Sequence, residues 1–381
     1  MSLFRRHLTL HPLHSPHLTH LWHPIFPPRI ATMATQSGIT ISAPNAPHLI
    51  TKDIPVPSLT SKKALVKSLY TGINPVEPFM SHTGLLIESY PAVLGSDAAG
   101  IVVSTSPDCT KLRAGDYVYG CVPIGLSAYS PFQETFLVDE RWIFKKAERI
   151  ALEEASTIGA GVLTAGHLVL VGLDVTLPPP GTAPENKDEW IVVMGGSGSV
   201  GRYVSQIARI AGYKVLASSS KGKAERALSS GAAATFDNRA SEAEQLAAIQ
   251  KFTGGKFSRV VDASAQATEL SLKALEASTA EGKKYFSTVN DWSPLEAPPS
   301  VTVHRVQLGL LGRVGQPEGR KVTAQTADMI DKFEPYLETG ELTALDYQLA
   351  DGQGWQAIID ALGGFEAGKF AKKVVVKVQD E

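Results

Sequence analysis

The stretch Trp190-Ile-Val-Val-Met-Gly-Gly-Ser-Gly-Ser-Val-Gly201 decides the fold of this chain. It places a short apolar run rich in β-branched residues directly before a glycine-rich turn, which is typical of a buried parallel strand that ends at a loop. Arg202–Ala211 continues with the apolar spacing of a helix, and Tyr213–Ala217 has the composition of a second strand. Strand, glycine turn, helix and strand in this order make half of a dinucleotide-binding fold.

The glycines of this turn have a chemical purpose. Gly196, Gly198 and Gly201 satisfy the GxGxxG spacing. A pyrophosphate must approach the backbone closely, and the first N–H groups of the helix and its dipole then hold the anion. The alternative, a glycine-rich surface turn without a ligand, is disfavoured because the flanking strands and helix are all predicted here.

The end of the second strand predicts which cofactor binds. An NAD-binding fold usually has Asp or Glu about 20 residues beyond the glycines, for the ribose 2′-hydroxyl. This chain has Ser218–Ser220 there, followed by Lys221 and Lys223. Hydroxyls and cations suit a 2′-phosphate, so NADPH is favoured over NADH. The alternative that these lysines only solvate the next helix stays open.

Length and composition exclude several classes of protein. A chain of 381 residues with 43% hydrophobic and 19% charged residues predicts two globular domains, and no apolar run is long enough to span a membrane. Its two cysteines, Cys109 and Cys121, are too few for a disulfide framework or a structural zinc site. Beyond residue 52 the chain has 32 basic and 38 acidic residues, which argues against nucleic acid as a partner. A small-molecule substrate is expected.

Residues 1–33 are predicted to be a disordered extension. Six of the ten histidines and five prolines lie there, which favours compositional bias over a metal site. Arginines without acidic residues resemble a mitochondrial transit peptide, although the prolines would break an amphipathic helix. Met33 as the true start is a third interpretation. We expect the protein in the cytoplasm, with a mitochondrial address left open.

From Ile39 onward the sequence predicts short strands with turns. Ile39–Ser42 and Leu49–Ile54 are expected to form a hairpin, and Val93–Val103 a strand pair hinged on small residues. Glu153–Leu173 is expected to be one long helix. The final strand, Lys373–Val378, comes too late for the dinucleotide sheet and should return to the β-rich domain. The predicted class is α/β, with a Rossmann domain at residues 156–312 inserted in a β-rich domain at residues 34–155 and 313–381.

Several ordered motifs resemble the zinc-independent branch of the medium-chain dehydrogenase/reductase family, over about residues 38–378. The motifs are Asp53-Ile-Pro-Val-Pro57, Gly72-Ile-Asn-Pro-Val76, Leu94-Gly-Ser-Asp-Ala-Ala-Gly100, Gly115-Asp-Tyr-Val118, Leu163-Thr-Ala165, the glycine loop and Lys373-Val-Val-Val376. The proline-rich insert before the cofactor strand is similar to that of quinone-reductase-like and fungal trans-acting enoyl-reductase members. The resemblance implies a GroES-like barrel around the inserted Rossmann domain, with catalysis in the cleft between them.

The resemblance also implies site residues. Asn74 would lie beside the nicotinamide, Thr164 would contact its carboxamide, and Ser219 and Lys223 would contact the 2′-phosphate. The cofactor-binding residues predicted altogether are Asn74, Thr164, Gly195, Gly196, Ser197, Gly198, Ser199, Val200, Gly201, Ser219, Lys223 and Lys373. For Asp97 a structural role in its own loop is preferred. Glu77 stands where the family commonly has Asp, and Phe79 where some relatives have a tyrosine or lysine near the substrate.

Two functions therefore stay open. The first is an NADPH-dependent reductase of an activated C=C bond or a quinone, which needs no zinc. The second is an NADPH-binding redox sensor or structural protein with little turnover, which would use the same glycine loop. Tyr70, Tyr90 and Tyr129 lie in segments near the expected cleft, but the sequence selects no acid catalyst. It leaves a monomer and a homodimer equally open.

Overall fold

Short strands with turns between them occupy residues 35–145, as the sequence predicts. The computed structural model describes residues 34–381, so the predicted extension at residues 1–33 lies outside the described residues. The helix α1 (Val76–Thr83) lies between the third and fourth strands. The strands are β1 (Thr35–Ile41), β2 (Leu49–Pro55), β3 (Lys63–Gly72), β4 (Ala92–Val93), β5 (Asp97–Thr105), β6 (Tyr117–Cys121), β7 (Thr135–Asp139) and β8 (Phe144–Lys145).

These strands form two antiparallel sheets. The predicted hairpin of β1 and β2 is confirmed, and β4 pairs with the other edge of β1. The prediction that Val93–Val103 is a strand pair is wrong, because β5 pairs with β3 and β6 instead of β4. Gly95 between them has φ +109°, and a Cβ there would lie 2.7 Å from the Pro131 ring. The chain therefore passes from one sheet to the other at this glycine rather than folding back on itself.

The predicted helix over Glu153–Leu173 is also corrected. The chain forms a short helix α2 (Leu152–Ala155), then α3 (Gly159–Gly166), which widens into a π-type turn at His167–Gly172. The break precedes Ala160, whose N–H donates to Asp97 Oδ1 at 2.5 Å. Asp97 therefore satisfies a backbone donor in the first turn of α3, and a new helix begins there.

A parallel sheet of six strands follows, with a helix between each of its first five strands and a loop before the sixth. Its strand order is β11-β10-β9-β12-β13-β14, which confirms the predicted Rossmann fold class. The apolar runs predicted as buried strands fill its centre, where β9 and β12 are flanked on both sides. Its elements are β9 (Trp190–Met194), α4 (Ser199–Ile210), β10 (Lys214–Ser219), α5 (Ala224–Ser229), β11 (Ala234–Asp237), α6 (Glu242–Thr253), β12 (Arg259–Asp262), α7 (Thr268–Ala277), β13 (Lys284–Thr288) and β14 (Val301–Arg305).

The end of the chain returns to the first part of the structure, as predicted. Its elements are α8 (Pro317–Thr339), β15 (Tyr347–Gln353), α9 (Gly354–Glu366) and β16 (Lys373–Lys377). The last strand pairs antiparallel with β3, where Val375 lies opposite Gly72. Lys373 is thereby brought next to the segment that follows β3. The domain limits at residues 155 and 313 stay a prediction.

Glycines let α3 pack closely against its neighbours. A Cβ at Gly161 would lie 3.0 Å from the Tyr203 ring of α4, and one at Gly166 would lie 2.8 Å from the Phe333 ring of α8. Side chains larger than hydrogen would hold these helices apart. The buried helix α3 is consequently fixed between the Asp97 region and the helix that begins at the glycine loop.

Candidate functional site

The glycine loop connects β9 to α4 with little space for side chains. Gly195 has φ +77°, a conformation that favours glycine. A Cβ at Gly196 would lie 2.5 Å from Ala217 Cβ, and one at Gly201 would lie 2.4 Å from the Gly195 carbonyl oxygen. Gly198 differs, because it is exposed and a Cβ there would meet only the Gly195 oxygen, at 3.4 Å. The fold itself requires Gly196 and Gly201, whereas Gly198 leaves an open approach to the backbone.

The first turn of helix α4 has backbone N–H groups that could bind an anion. Its N-cap is Gly198, and no side chain of the described residues caps it. The first turn contains Ser199, Val200 and Gly201, while Ser197 precedes it at the half-buried tip of the loop. A helix N-terminus carries partial positive charge and unpaired N–H donors. The loop residues predicted for a pyrophosphate therefore fit that group.

At the end of β10 the two serines differ in their contacts. Ser218 accepts the Gly195 N–H with its hydroxyl oxygen at 2.9 Å, which ties this strand to the glycine loop. Ser219 is 2% exposed, and its hydroxyl donates to the Ser220 carbonyl at 3.1 Å. Lys223 is exposed and has no carboxylate within 4.0 Å among residues 34–381. Of the two residues predicted for the 2′-phosphate, Lys223 has the more accessible charge.

A carboxylate that the sequence argument overlooked lies beside these residues. Asp237 ends β11 and is the direct register partner of Ser219. Its Oδ2 lies 3.9 Å from the Lys221 ammonium. The parallel pairing of β10 with β11 would have indicated this neighbour, because the carboxyl ends of parallel strands share one edge. The region predicted for the 2′-phosphate thus combines cations with one acidic group.

Asn74 is held at both ends of its side-chain amide. It is 8% exposed, and its Nδ2 donates to Ser96 Oγ at 2.9 Å and to Asp97 Oδ2 at 2.8 Å. The Lys373 ammonium donates to Asn74 Oδ1 at 2.5 Å and to Asp97 Oδ2 at 2.8 Å. Asn74, Asp97 and Lys373 therefore form one buried network. Lys373 is placed to hold the Asn74 amide in one orientation, which is a different task from direct cofactor contact.

The helix α3 joins this network to the glycine loop. Its first turn bonds Asp97 through the Ala160 N–H, and a Cβ at Gly159 would lie 2.2 Å from Asp97 Oδ1. Farther along, a Cβ at Gly161 would be 3.9 Å from Ser199 Cβ in the first turn of α4. Thr164 lies half-buried one turn later. The predicted nicotinamide residues and the predicted pyrophosphate loop are therefore arranged along one helix.

Comparisons with known proteins show what the chain is similar to. The alcohol dehydrogenase GroES-like domain matches residues 60–148. The dehydrogenase orsE of Emericella nidulans is 28% identical over 353 residues, which cover 86% of this chain and 94% of that protein. The trans-enoyl reductase caaB of Aspergillus niger is 28% identical over 336 residues, which cover 81% and 88%. The structure of a quinone oxidoreductase from Pseudomonas syringae has a TM-score of 0.69 at 20% identity, with 90% of this chain and 99% of that chain covered.

Over most of its length the chain is similar to enzymes of the medium-chain dehydrogenase/reductase family. Its antiparallel sheets and its parallel sheet are the GroES-like and Rossmann parts of that architecture. The chain is an oxidoreductase, which is the coarser part of the first predicted function. Enzymes of this family use nicotinamide cofactors, and the chain uses a cofactor of this class.

Glu77 is a member of the Asn74 network that the sequence argument treated only as a departure from the family. It is fully buried, accepts the Asn74 N–H at 2.6 Å and accepts the Ser96 hydroxyl. Burial raises the pKa of this carboxyl to about 7, against the opposing effects of Ser96 and the Lys373 charge. Glu77 follows Asn74 by three residues, which is the spacing at which a glutamate side chain accepts the backbone N–H at a helix start. This spacing could have identified Glu77 from the sequence.

The three candidate tyrosines lie apart from this network. Tyr70 lines a surface cavity of about 280 Å³ with Leu349 and Gln353. The Tyr90 hydroxyl would lie 2.9 Å from a Cβ at Gly84, just after α1, and Tyr129 has the Lys63 ammonium 5.6 Å from its ring centroid. Among the described residues none of the three hydrogen-bonds to Asn74. The structure therefore selects no proton donor from this group.

Residues 34–381 contain neither a cluster of metal ligands nor a membrane-spanning helix. No group of three or more His, Cys, Asp or Glu in that range could hold a metal ion. Cys109 and Cys121 are both free thiols, and burial raises the pKa of each. No helix in the same range is long and apolar enough to cross a bilayer.

Proposed function

We propose that this oxidoreductase uses NADPH to reduce an activated C=C bond, of the enone or enoyl type, or a quinone, and that it needs no zinc. The observation that carries the proposal is the continuous arrangement of the glycine loop, α3 and the Asn74–Lys373 network. Its relatives named above include a trans-enoyl reductase and a quinone oxidoreductase, which supports this substrate class.

The glycine loop would bind the pyrophosphate. Open space above Gly198 admits a phosphate to the backbone, and the uncapped start of α4 supplies N–H donors and dipole charge. Both the nicotinamide and adenosine halves would then be oriented from this fixed point. When bound, the cofactor supplies a hydride to an electrophilic carbon.

The Asn74 network would orient the nicotinamide end. An asparagine amide rotates through 180° at little cost when nothing distinguishes its two ends. Here Lys373 donates to Oδ1 while Asp97 accepts from Nδ2, so only one orientation satisfies both partners. The Thr164 hydroxyl, on the helix that Asp97 caps, would contact the carboxamide. Lys373 thus acts as a positioning residue in this proposal.

The preference for NADPH would come from Lys223 together with the other cation of this edge, Lys221. An exposed lysine near a phosphate forms a charge-assisted hydrogen bond. Asp237 opposes this preference, although Lys221 lies close enough to offset part of its charge. The hydroxyl of Ser219 would have to leave the Ser220 carbonyl before it could donate to the phosphate. We further propose cytoplasmic localisation, and a monomer or homodimer as the active form.

A cofactor and substrate screen tests the proposal. The full chain, dialysed against a strong chelator, is mixed with NADPH or NADH and with enones, enals and quinones. We expect loss of nicotinamide absorbance with NADPH, at rates that the dialysis does not change. Turnover that requires restored zinc, equal rates with NADH, or absence of turnover across all three substrate classes would each contradict the corresponding part of the proposal.

A further inference from the structure

Glu77 is bonded to Asn74 twice, once directly and once through a serine. Glu77 Oε2 accepts the Asn74 backbone N–H at 2.6 Å, and Glu77 Oε1 accepts the Ser96 hydroxyl. Ser96 Oγ in turn accepts a hydrogen from Asn74 Nδ2 at 2.9 Å. All three residues are buried. A hydroxyl has one hydrogen, so its donation to Glu77 leaves the Ser96 oxygen to accept from the amide.

The other end of this hydrogen-bond chain is an ammonium group. Lys373 donates to Asn74 Oδ1 at 2.5 Å, and Asn74 Nδ2 donates its other hydrogen to Asp97 Oδ2 at 2.8 Å. The donors therefore all point in one direction, from Lys373 through the Asn74 amide and Ser96 to Glu77. In a buried network of this kind, a polar group that loses its partner costs about 1–3 kcal/mol.

Only the ionised form of Glu77 fits these directions. A carboxylate has two acceptor oxygens and no donor, which matches the two donors that face it. A proton on Oε2 would point at the Asn74 N–H. A proton on Oε1 would force the Ser96 hydroxyl to turn away, and Ser96 Oγ has no other hydrogen-bond partner among the described residues. Protonation therefore removes one hydrogen bond from the chain in either case.

Burial favours the opposite form of Glu77. The carboxyl has no exposed surface, and desolvation raises its pKa to about 7 against the Ser96 hydrogen bond and the Lys373 charge. The ionised and neutral forms are consequently close in free energy near neutral pH. A small additional preference for one form, such as that of a bound ligand, is then enough to change which form is populated.

The groups that face Glu77 keep their own charge in this pH range. Asp97 of β5 and Lys373 of β16 pair with each other at 2.8 Å. Burial raises the pKa of the Cys121 thiol, at the end of β6, well above its usual range, so it stays uncharged. Helix α9 also packs against α1, and the titratable groups at the C-terminal end of α1 are His48, His82 and Glu366. The net charge of the buried region around Asn74 is thus set by Glu77.

We propose that Glu77 is a positioning residue, whose ionised carboxylate holds the Asn74 amide in the orientation that binds the nicotinamide end of the cofactor. This inference rests on the proposed function and adds a dependence on protonation to the same site. Loss of the proton completes the chain of bonds from Lys373 to Glu77, and gain of the proton breaks it beside Asn74. The affinity for NADPH should therefore rise with pH through the neutral range.

Glu77→Gln imitates the protonated form. Its amide can accept the Asn74 N–H, but it presents a donor to Ser96 Oγ. Tryptophan fluorescence titration gives the Kd for NADPH of both proteins at about pH 5.5 and about pH 8.5, on either side of the neutral range. The Kd of the variant divided by that of the wild type should be near one at the lower pH and about tenfold at the higher pH. The cofactor phosphate and the histidines titrate in both proteins, so this ratio removes their effect.

Glu244→Gln is the matched control. Glu244 accepts the Ser241 N–H at 2.9 Å and the Ser241 hydroxyl at 2.7 Å, which are the same two kinds of contact at the exposed start of α6. These bonds lower the pKa of Glu244, so its carboxylate stays ionised across the range. Its Kd ratio to the wild type should be equal at the two pH values.

A measurement without cofactor follows the Glu77 proton directly. The infrared difference spectrum of wild type minus Glu77→Gln should contain the carbonyl stretch of a protonated carboxyl at the lower pH, and this band should disappear at the higher pH. If Glu77→Gln does not fold, Ser96→Ala replaces it in the titration, because it keeps the carboxyl but removes the serine link to the Asn74 amide. Its Kd ratio to the wild type should likewise be larger at the higher pH.

The outcomes distinguish this inference from the proposed function. Tight NADPH binding by the wild type, with a Kd ratio that is the same at both pH values, overturns the role of Glu77 and leaves the reductase proposal intact. A wild type that binds NADPH at neither pH overturns the proposed cofactor and the inference together. A ratio that rises with pH in Glu77→Gln but not in Glu244→Gln supports the positioning role.

Discussion

Replacing Gly198 by valine should abolish NADPH binding while the fold is retained. Gly198 has φ −77° and ψ 167°, a backbone conformation open to any residue. A Cβ there meets only the Gly195 carbonyl oxygen, at 3.4 Å, and the residue is exposed. Valine is a poorer N-cap than glycine, so the loss in unfolding free energy should be about 1 kcal/mol or less.

The loss of binding should be much larger than the loss of stability. A branched side chain at residue 198 would occupy the space through which the pyrophosphate reaches the start of α4. Two hydrogen bonds from backbone N–H groups to a charged oxygen contribute about 1.5 kcal/mol each at the lower end of their range. Their loss amounts to about 3 kcal/mol, which is roughly a hundredfold or more in Kd.

Gly201→Ala provides the contrasting case. Its Cβ would lie 2.4 Å from the Gly195 carbonyl oxygen, a backbone atom that cannot move aside easily. Alanine would add up to about 1 kcal/mol of helix propensity in α4, but overpacking costs about 1–3 kcal/mol. We therefore expect Gly201→Ala to lower the free energy of unfolding, in contrast to Gly198→Val.

Urea unfolding followed by circular dichroism measures stability, and titration of intrinsic tryptophan fluorescence measures NADPH affinity. Gly315→Val serves as the control, because no atom lies within 4 Å of its Cβ position. This variant should match the wild type in both measurements. Unchanged NADPH affinity in a folded Gly198→Val protein would show that the loop is not the pyrophosphate site.

The remaining predictions concern three charged residues. Lys223→Ala should weaken NADPH binding about threefold to tenfold and leave NADH binding nearly unchanged. Asp237→Asn should shift the cofactor preference further toward NADPH. Parallel titrations that show equal effects on both cofactors would contradict the 2′-phosphate assignment. Because the pKa of Glu77 rises from 4.5 to about 7 on folding, the folded state keeps a proton that the unfolded chain releases, and the free energy of unfolding falls as pH rises through this window. Between pH 4.5 and 7 the free energy of unfolding of Glu77→Gln should fall by about 3 kcal/mol less than that of the wild type. Urea unfolding across this pH range measures both proteins, and an equal fall in the two would refute the prediction.

Local patterns in the sequence were sufficient for the Rossmann part. The apolar run of β9 and the glycine spacing were predicted at their observed positions, whereas α4 begins three residues before the predicted Arg202. Each of these features depends on residues within about a dozen positions, because a buried strand and a tight turn restrict the residue types of their own segment. The return of β16 to the β-rich sheet was also predictable, since the parallel sheet already had its strands.

Pairings between distant segments were harder to predict from the sequence. Val93–Val103 contains two strands with suitable composition, yet each pairs with a different partner. The predicted long helix breaks before Ala160 because the Asp97 carboxylate, more than sixty positions away, accepts its N–H. The sequence shows that these residues are small or polar, but it does not predict which distant residues they contact.

The sequence by itself determined the fold class and the glycine loop, because backbone geometry restricts which residue types each can contain. Asn74 and Lys373 were predicted through the resemblance of their motifs to a known family. Only the tertiary structure decided that Lys373 bonds the Asn74 amide, that Asp237 lies beside Ser219, and that Glu77 bonds Ser96. These contacts depend on how separate sheets and helices pack. Such packing is set by the summed fit of many side chains, which no single motif contains.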